Sequence, residues 1–107
     1  MNGYQVTFFT QQDRTHAGLP LAEWLVQQAR KLNLEGATMV AASEGLGRHH
    51  KIHSARFFEL ADQPVEVTMA LSEAQLHSLF LRLREEKLNL FYVKAPIEYG
   101  YSGQTEI

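Results

Sequence analysis

The chain has 107 residues, 45% hydrophobic and 21% charged, with a formal net charge of −2. This composition describes one globular domain, spanning 1–107, with a modest core; it excludes a disordered chain and argues against a general nucleic-acid binder. The absence of cysteine removes disulfides, thiol catalysis and thiolate metal sites, and fits a reducing cytoplasm.

Tyr4 to Thr10 alternates and is rich in aromatic and β-branched residues, which predicts a first strand. Gln11 to Gly18 is polar and reads as a loop. Pro20 stands where a first helical residue loses nothing by lacking an N–H. Leu21, Leu25, Ala29 and Leu32 follow at helical spacing, predicting an amphipathic helix over about 20–34. Trp24 falls on the flank opposite that stripe, where it marks a contact surface or is half-buried. A second strand is expected over 36–44. The connection from Gly45 to Gln63 is long for a hairpin, and long ordered connections are usually functional. Pro64 opens a third strand, with Val65, Val67, Met69 and Leu71 on one side and Glu66, Thr68 and Ala70 on the other.

Ser72 stands three residues before Gln75, the spacing of a capping box at the start of a second helix. Leu76, Leu79, Phe80 and Leu83 form the buried stripe of that helix, leaving Arg82, Glu85 and Glu86 in water. Leu88 to Ala95 reads as a fourth strand ended by Pro96. Residues 98–107 form a tail rich in Gly, Tyr and Ser, expected to order only against a partner. No apolar run approaches the ~20 residues that cross a bilayer. Met1-Asn2-Gly3-Tyr4-Gln5 lacks the pattern of a signal peptide.

The predicted order is β-α-β-β-α-β. It defines an α+β, ferredoxin-like sandwich: an antiparallel four-stranded sheet with both helices on one face. Phe8 and Phe9 are adjacent, as are Phe91, Tyr92 and Val93, so apolar residues point to both sides of the sheet. A sheet that is apolar on both sides needs a second cover, and the simplest is another copy of the chain.

Chemistry-bearing residues gather after the second strand. Gly45-Leu46-Gly47-Arg48 reads either as a turn whose free backbone N–H groups and guanidinium hold an anion, or as a bulge beside a solvated arginine. His49, His50 and His53 have spacings that can converge on a metal ion. Arg48 and Lys51 repel a cation, however, and no carboxylate completes the set, so a solvated basic loop is the competing reading. Asp13, Arg14, Thr15 and His16 form either an acid–base pair or ordinary turn chemistry. Phe57 and Phe58 grip a partner or stack on a base, or else tether the connection to the core. Glu85 and Glu86 diverge by about 100° on a helix, so they are not paired for catalysis. No nucleophile–base pair is recognisable, and the expectation is a protein that is not an enzyme.

Several pieces, in order, resemble the PII-like signalling proteins, and within them the domain-of-unknown-function 190 branch. These are Gly18-Leu19-Pro20-Leu21, Gly36-Ala37-Thr38-Met39, Gly45-Leu46-Gly47, Ile52-His53-Ser54, and Leu60 through Pro64-Val65. The resemblance covers a core of about 4–97. It implies a homotrimer with sheets facing the threefold axis and ligand clefts between subunits, roofed by a mobile loop over about 46–56. It also implies that Gly45, Leu46, Gly47 and Arg48 meet the ligand. Thr38 lies on the matching second strand, and Arg14 and His16 border the cleft. The resemblance further implies a small anionic effector, with an adenine nucleotide the first candidate, and a partner protein such as a membrane transporter.

Two departures bear on the ligand. PII proteins that bind ATP carry a glycine-rich loop with a lysine before the last strand, where this chain reads Glu85-Glu86-Lys87-Leu88-Asn89. They carry two arginines after that strand, where this chain reads Pro96-Ile97-Glu98-Tyr99-Gly100. A triphosphate would meet negative charge, which shifts the expectation to a nucleoside monophosphate or cyclic nucleotide. A metal-responsive protein using His49, His50 and His53 is the alternative. Tyr99 and Tyr101 either close the cleft or extend into solvent.

Overall fold

The computed structural model describes residues 1–41, 44–46, 52–54 and 63–105, with 44–46 and 52–54 as backbone. In chain order the elements are β1 (Asn2–Gln11), β2 (Thr15–His16), β3 (Leu19–Pro20), α1 (Leu21–Lys31), β4 (Ala37–Ala41), β5 (Glu44–Leu46), β6 (Ile52–Ser54), β7 (Pro64–Leu71), α2 (Glu73–Glu85) and β8 (Phe91–Glu98). A short 3-10 turn, Ser102–Gln104, follows. The main sheet is four-stranded and antiparallel, in the order β4-β7-β1-β8. With both helices on one side, this is the ferredoxin-like α+β plan.

The alternation in β1 and β7 sets the two faces. Val6 pairs with Met69 and Phe8 with Val67, and all four are buried under the helices. Leu21, Leu25 and Leu79 complete that core with no exposed surface. Each such side chain contributes about 1.5–3 kcal/mol on leaving water. Phe80 of α2 lies edge-on to Tyr92 of β8, with ring centroids 4.8 Å apart, and tilts against Phe8 at 5.9 Å. Among the described residues, Thr10 Oγ1 and Gln28 Nε2 are buried without a hydrogen-bond partner, an omission that costs about 1–3 kcal/mol each.

Both helices have defined ends. Ser72 and Gln75 form the expected capping box, each side chain bonding the other's backbone N–H. At the C-termini, Leu34 N–H bonds Ala29 O and Leu88 N–H bonds Leu83 O, both at 3.0 Å, across Asn33 and Lys87 at φ 57° and 55°. These are Schellman closures with non-glycine residues in the left-handed position.

Several boundaries differ from the sequence reading, most of them for a local reason. Helix α1 starts at Leu21 and ends at Lys31, because Pro20 is extended (φ −53°, ψ 135°) and pairs with Thr15. The stretch read as a loop therefore contains a small hairpin. Ala17 and Gly18 both have positive φ and make the two-residue turn that suits a twisted hairpin. The second strand ends at Ala41, and β5 and β6 pair as a separate hairpin inside the long connection. The last strand runs from Phe91 to Glu98 with Pro96 inside it. This is tolerated because β8 is an edge strand, where a missing N–H need not break the ladder. Trp24 is also corrected: it is 4% exposed and belongs to the core. Phe57 and Phe58 lie outside the described residues.

Candidate functional site

The two ends of the sheet carry different chemistry. At the end where β1 begins, the tail folds back on its own chain. Tyr99 N–H donates to Met1 O at 2.9 Å, and the Met1 ammonium donates to Tyr99 O at 2.9 Å, extending the β1–β8 pairing. Gly3 makes room for this. A Cβ there would sit 2.2 Å from Leu71 O and 2.9 Å from the Tyr99 ring. The Tyr101 hydroxyl then donates to the Glu35 carboxylate. Gln104 N–H and the Thr105 hydroxyl both donate to Tyr101 O at 2.9 Å, holding the 3-10 turn.

Glu35 leads into β4, which lies on the opposite edge of the sheet from β8. The tail thus reaches from one edge to the other, a span of three interstrand spacings or about 14 Å. Between tail and sheet lies an open depression of about 340 Å³, lined by Gln5, Thr38, Thr68, Glu35, Tyr99 and Tyr101. The Thr68 hydroxyl on that floor bonds the Thr7 hydroxyl at 3.0 Å. The hydrogen bond to Glu35 raises the Tyr101 phenol above its ordinary value of 10.0, with the carboxylate charge and slight burial adding to it.

The opposite end gathers the connections. The Arg14 guanidinium donates to Asn89 O at 3.4 Å, and His16 Nε2 lies 3.2 Å from a Glu86 oxygen. The His16 ring stands edge-on to Trp24, centroids 4.9 Å apart. Arg14 N–H also bonds Gln11 O, the turn geometry that competes with an acid–base role for this segment. These residues tie the β1–α1 segment to the connection between α2 and β8. The β5–β6 hairpin leaves from the same end, because Ala41 pairs with Val65. In that hairpin Gly45 stands opposite His53, and Leu46 opposite Ile52.

The expected site residues therefore divide. Thr38 faces the depression on the helix-free side, whereas Arg14, His16, Gly45 and Leu46 belong to the other end. Gly47, Arg48, His49 and His50 lie outside the described residues. Among the described residues, no group of three or more His, Asp and Glu is placed to hold a metal ion, and no helix is long and apolar enough to cross a membrane. Sequence reasoning named Tyr99 and Tyr101 without placing them. The signal that could have done so is Gly3, a glycine inside a strand, which marks a close approach.

The architecture is that of the PII-like proteins. CPII of Thiomonas intermedia K12, a nitrogen regulatory PII-like protein solved with ADP, AMP and bicarbonate, superposes with a TM-score of 0.68 over 94% of this chain and 91% of CPII, at 14% identity. A candidate PII-like signaling protein of Thermus thermophilus gives 0.61 over 90% of this chain and 85% of its own, at 18% identity. A UPF0166 protein of Aquifex aeolicus (strain VF5) is 28% identical over 93 residues, 87% of this chain and 89% of that protein. Residues 3–95 match the model of DUF190, described as Uncharacterized ACR, COG1993, and the chain belongs to that family.

Proposed function

We propose that this protein is a non-enzymatic PII-like regulator. It acts in the cytoplasm as a homotrimer and binds a small anionic ligand, an adenine nucleotide, in clefts between subunits. It signals to a partner protein, such as a membrane transporter, through the segment that follows β4. The observation that carries this reading is the division of the site. Thr38 stands level with Thr7 on the helix-free face, about 14 Å of strand from the Gln11 end where Arg14, His16 and the β5–β6 hairpin gather. One small ligand spans both sets only if a second chain brings its Thr38 end to the first chain's hairpin.

The helix-free face supports assembly, since Phe91, Val93 and Val40 are exposed on it. In the cleft, the Gly47 backbone N–H and the Arg48 guanidinium receive the anionic end of the ligand, next to the β5–β6 ladder in which Gly45 and Leu46 stand opposite His53 and Ile52. Arg14 and His16 act as positioning residues that fix the α2–β8 connection beside it. Glu86 in that connection and Glu35 and Glu98 at the other end set a limit on ligand charge, which favours AMP or ADP over ATP. The nucleotide-bound CPII structure supports the ligand class.

Titration calorimetry with AMP, ADP, ATP, cyclic AMP and cyclic di-AMP tests the reading. AMP or ADP binds, ATP binds more weakly, and Arg48→Ala lowers the affinity at least about tenfold, as expected on losing a charge-assisted hydrogen bond. No binding by any of the five, or an unchanged affinity in Arg48→Ala, contradicts it.

A further inference from the structure

We propose that residues 99–105 form a strap that gates the depression, latched by the Tyr101 hydroxyl on the Glu35 carboxylate. The strap has a firm root and a weak tip. Its root is the reciprocal Met1–Tyr99 backbone pair, seated where Gly3 leaves room for the Tyr99 ring. Its tip is braced internally by the two bonds onto Tyr101 O, so it moves as a unit. Gly100 lies between root and tip, where an added Cβ would meet nothing closer than the Thr105 hydroxyl at 3.5 Å, and so is the hinge.

Among the described residues, one side-chain bond joins the tip to the rest of the chain, and it joins residues 66 positions apart. Tyr101 is 52% exposed, so water competes for that bond and the latch can open. Opening it frees a carboxylate at the rim of the depression, facing the amide and hydroxyl groups of Gln5, Thr38 and Thr68. A ligand that brings its own N–H donor replaces the Tyr101 hydroxyl on Glu35, whereas a phosphate is repelled there. The strap is thus an internal competitor for an amino-bearing group. This holds whether or not the ligand is a nucleotide.

The absence of cysteine makes the test clean. Ala70, which also lines the depression, is replaced by cysteine in the full chain, and the rate of alkylation by iodoacetamide is measured. Leu81→Cys, exposed on α2 and away from the helix-free face, serves as the reference. Adding Tyr101→Phe speeds the Ala70→Cys thiol about tenfold, the factor expected for losing one hydrogen bond to a charged group. Glu35→Ala does the same, and the two together add nothing further, because they break one interaction. The Leu81→Cys rate stays within about twofold. An Ala70→Cys rate indifferent to both substitutions overturns the strap. So does an equal acceleration of both thiols, which would report general loosening.

Discussion

On the helix-covered side of the sheet, Val6, Phe8, Val67 and Met69 are buried within one chain, while on the other side Phe91 and Val93 of the neighbouring strand are 71% and 52% exposed. The two sides are built from the same strands by alternation, so they are equally determined by sequence. They differ in what covers them. Two amphipathic helices finish the first, whereas on the second the tail's depression takes up one end and the apolar edge around Phe9 and Phe91, ring centroids 5.6 Å apart, stays open. The covered side accounts for the stability of the chain; the open side is where the proposed assembly and ligand binding fall.

That contrast breaks or sharpens under substitution. Phe8→Ala empties a fully buried position and costs about 3–5 kcal/mol in denaturant unfolding. Phe91→Asp leaves the far-ultraviolet circular dichroism native but, under the proposed assembly, shifts sedimentation to a smaller species, because Phe91 is exposed and outside the core. A Phe91→Asp chain that unfolds, or one that sediments unchanged, removes the distinction between the sides.

A smaller effect concerns pH. Tyr101 has its hydroxyl held above its ordinary value by Glu35. Its contribution to tail docking is therefore full below the unfolded value of about 10 and is lost as pH rises through the higher folded value. The difference between wild-type and Tyr101→Phe absorbance titrations at the tyrosinate band should show one phenol with a midpoint above about 10. A midpoint at or below that value contradicts the latch geometry.

The covered side was legible in the sequence because period and capping act locally. The valines of β7 and the Ser72–Gln75 pair announce their own structure. Trp24 was misplaced because a helix wedged between a sheet and a small hairpin is buried over more than one stripe. The hairpin at Ala17-Gly18 supplies that second wall, and its turn requires a positive φ at an alanine, which no propensity rule favours. Pro96 misled for a related reason, since proline ends central strands but not edge strands, and edge position is a property of the whole sheet. Of the candidate site residues, Thr38 lines the depression, whereas Gly47 and Arg48 lie outside the described residues. The depression itself was not legible in the sequence, because it needs Glu35 and Tyr101, distant in sequence, to meet across four strands.

The central claim is that a ligand site takes one end from each of two chains. Subunit mixing tests it directly. Arg48→Ala and Thr38→Ala chains are prepared separately, and each is expected to bind AMP or ADP weakly. When they are dissociated, mixed in equal amounts and reassembled, about one quarter of the intersubunit sites should combine an intact Arg48 with an intact Thr38 from the neighbouring chain. Calorimetry should then recover about that fraction of tight binding. If the mixture binds no better than the separate variants, the site lies within one chain and the account fails.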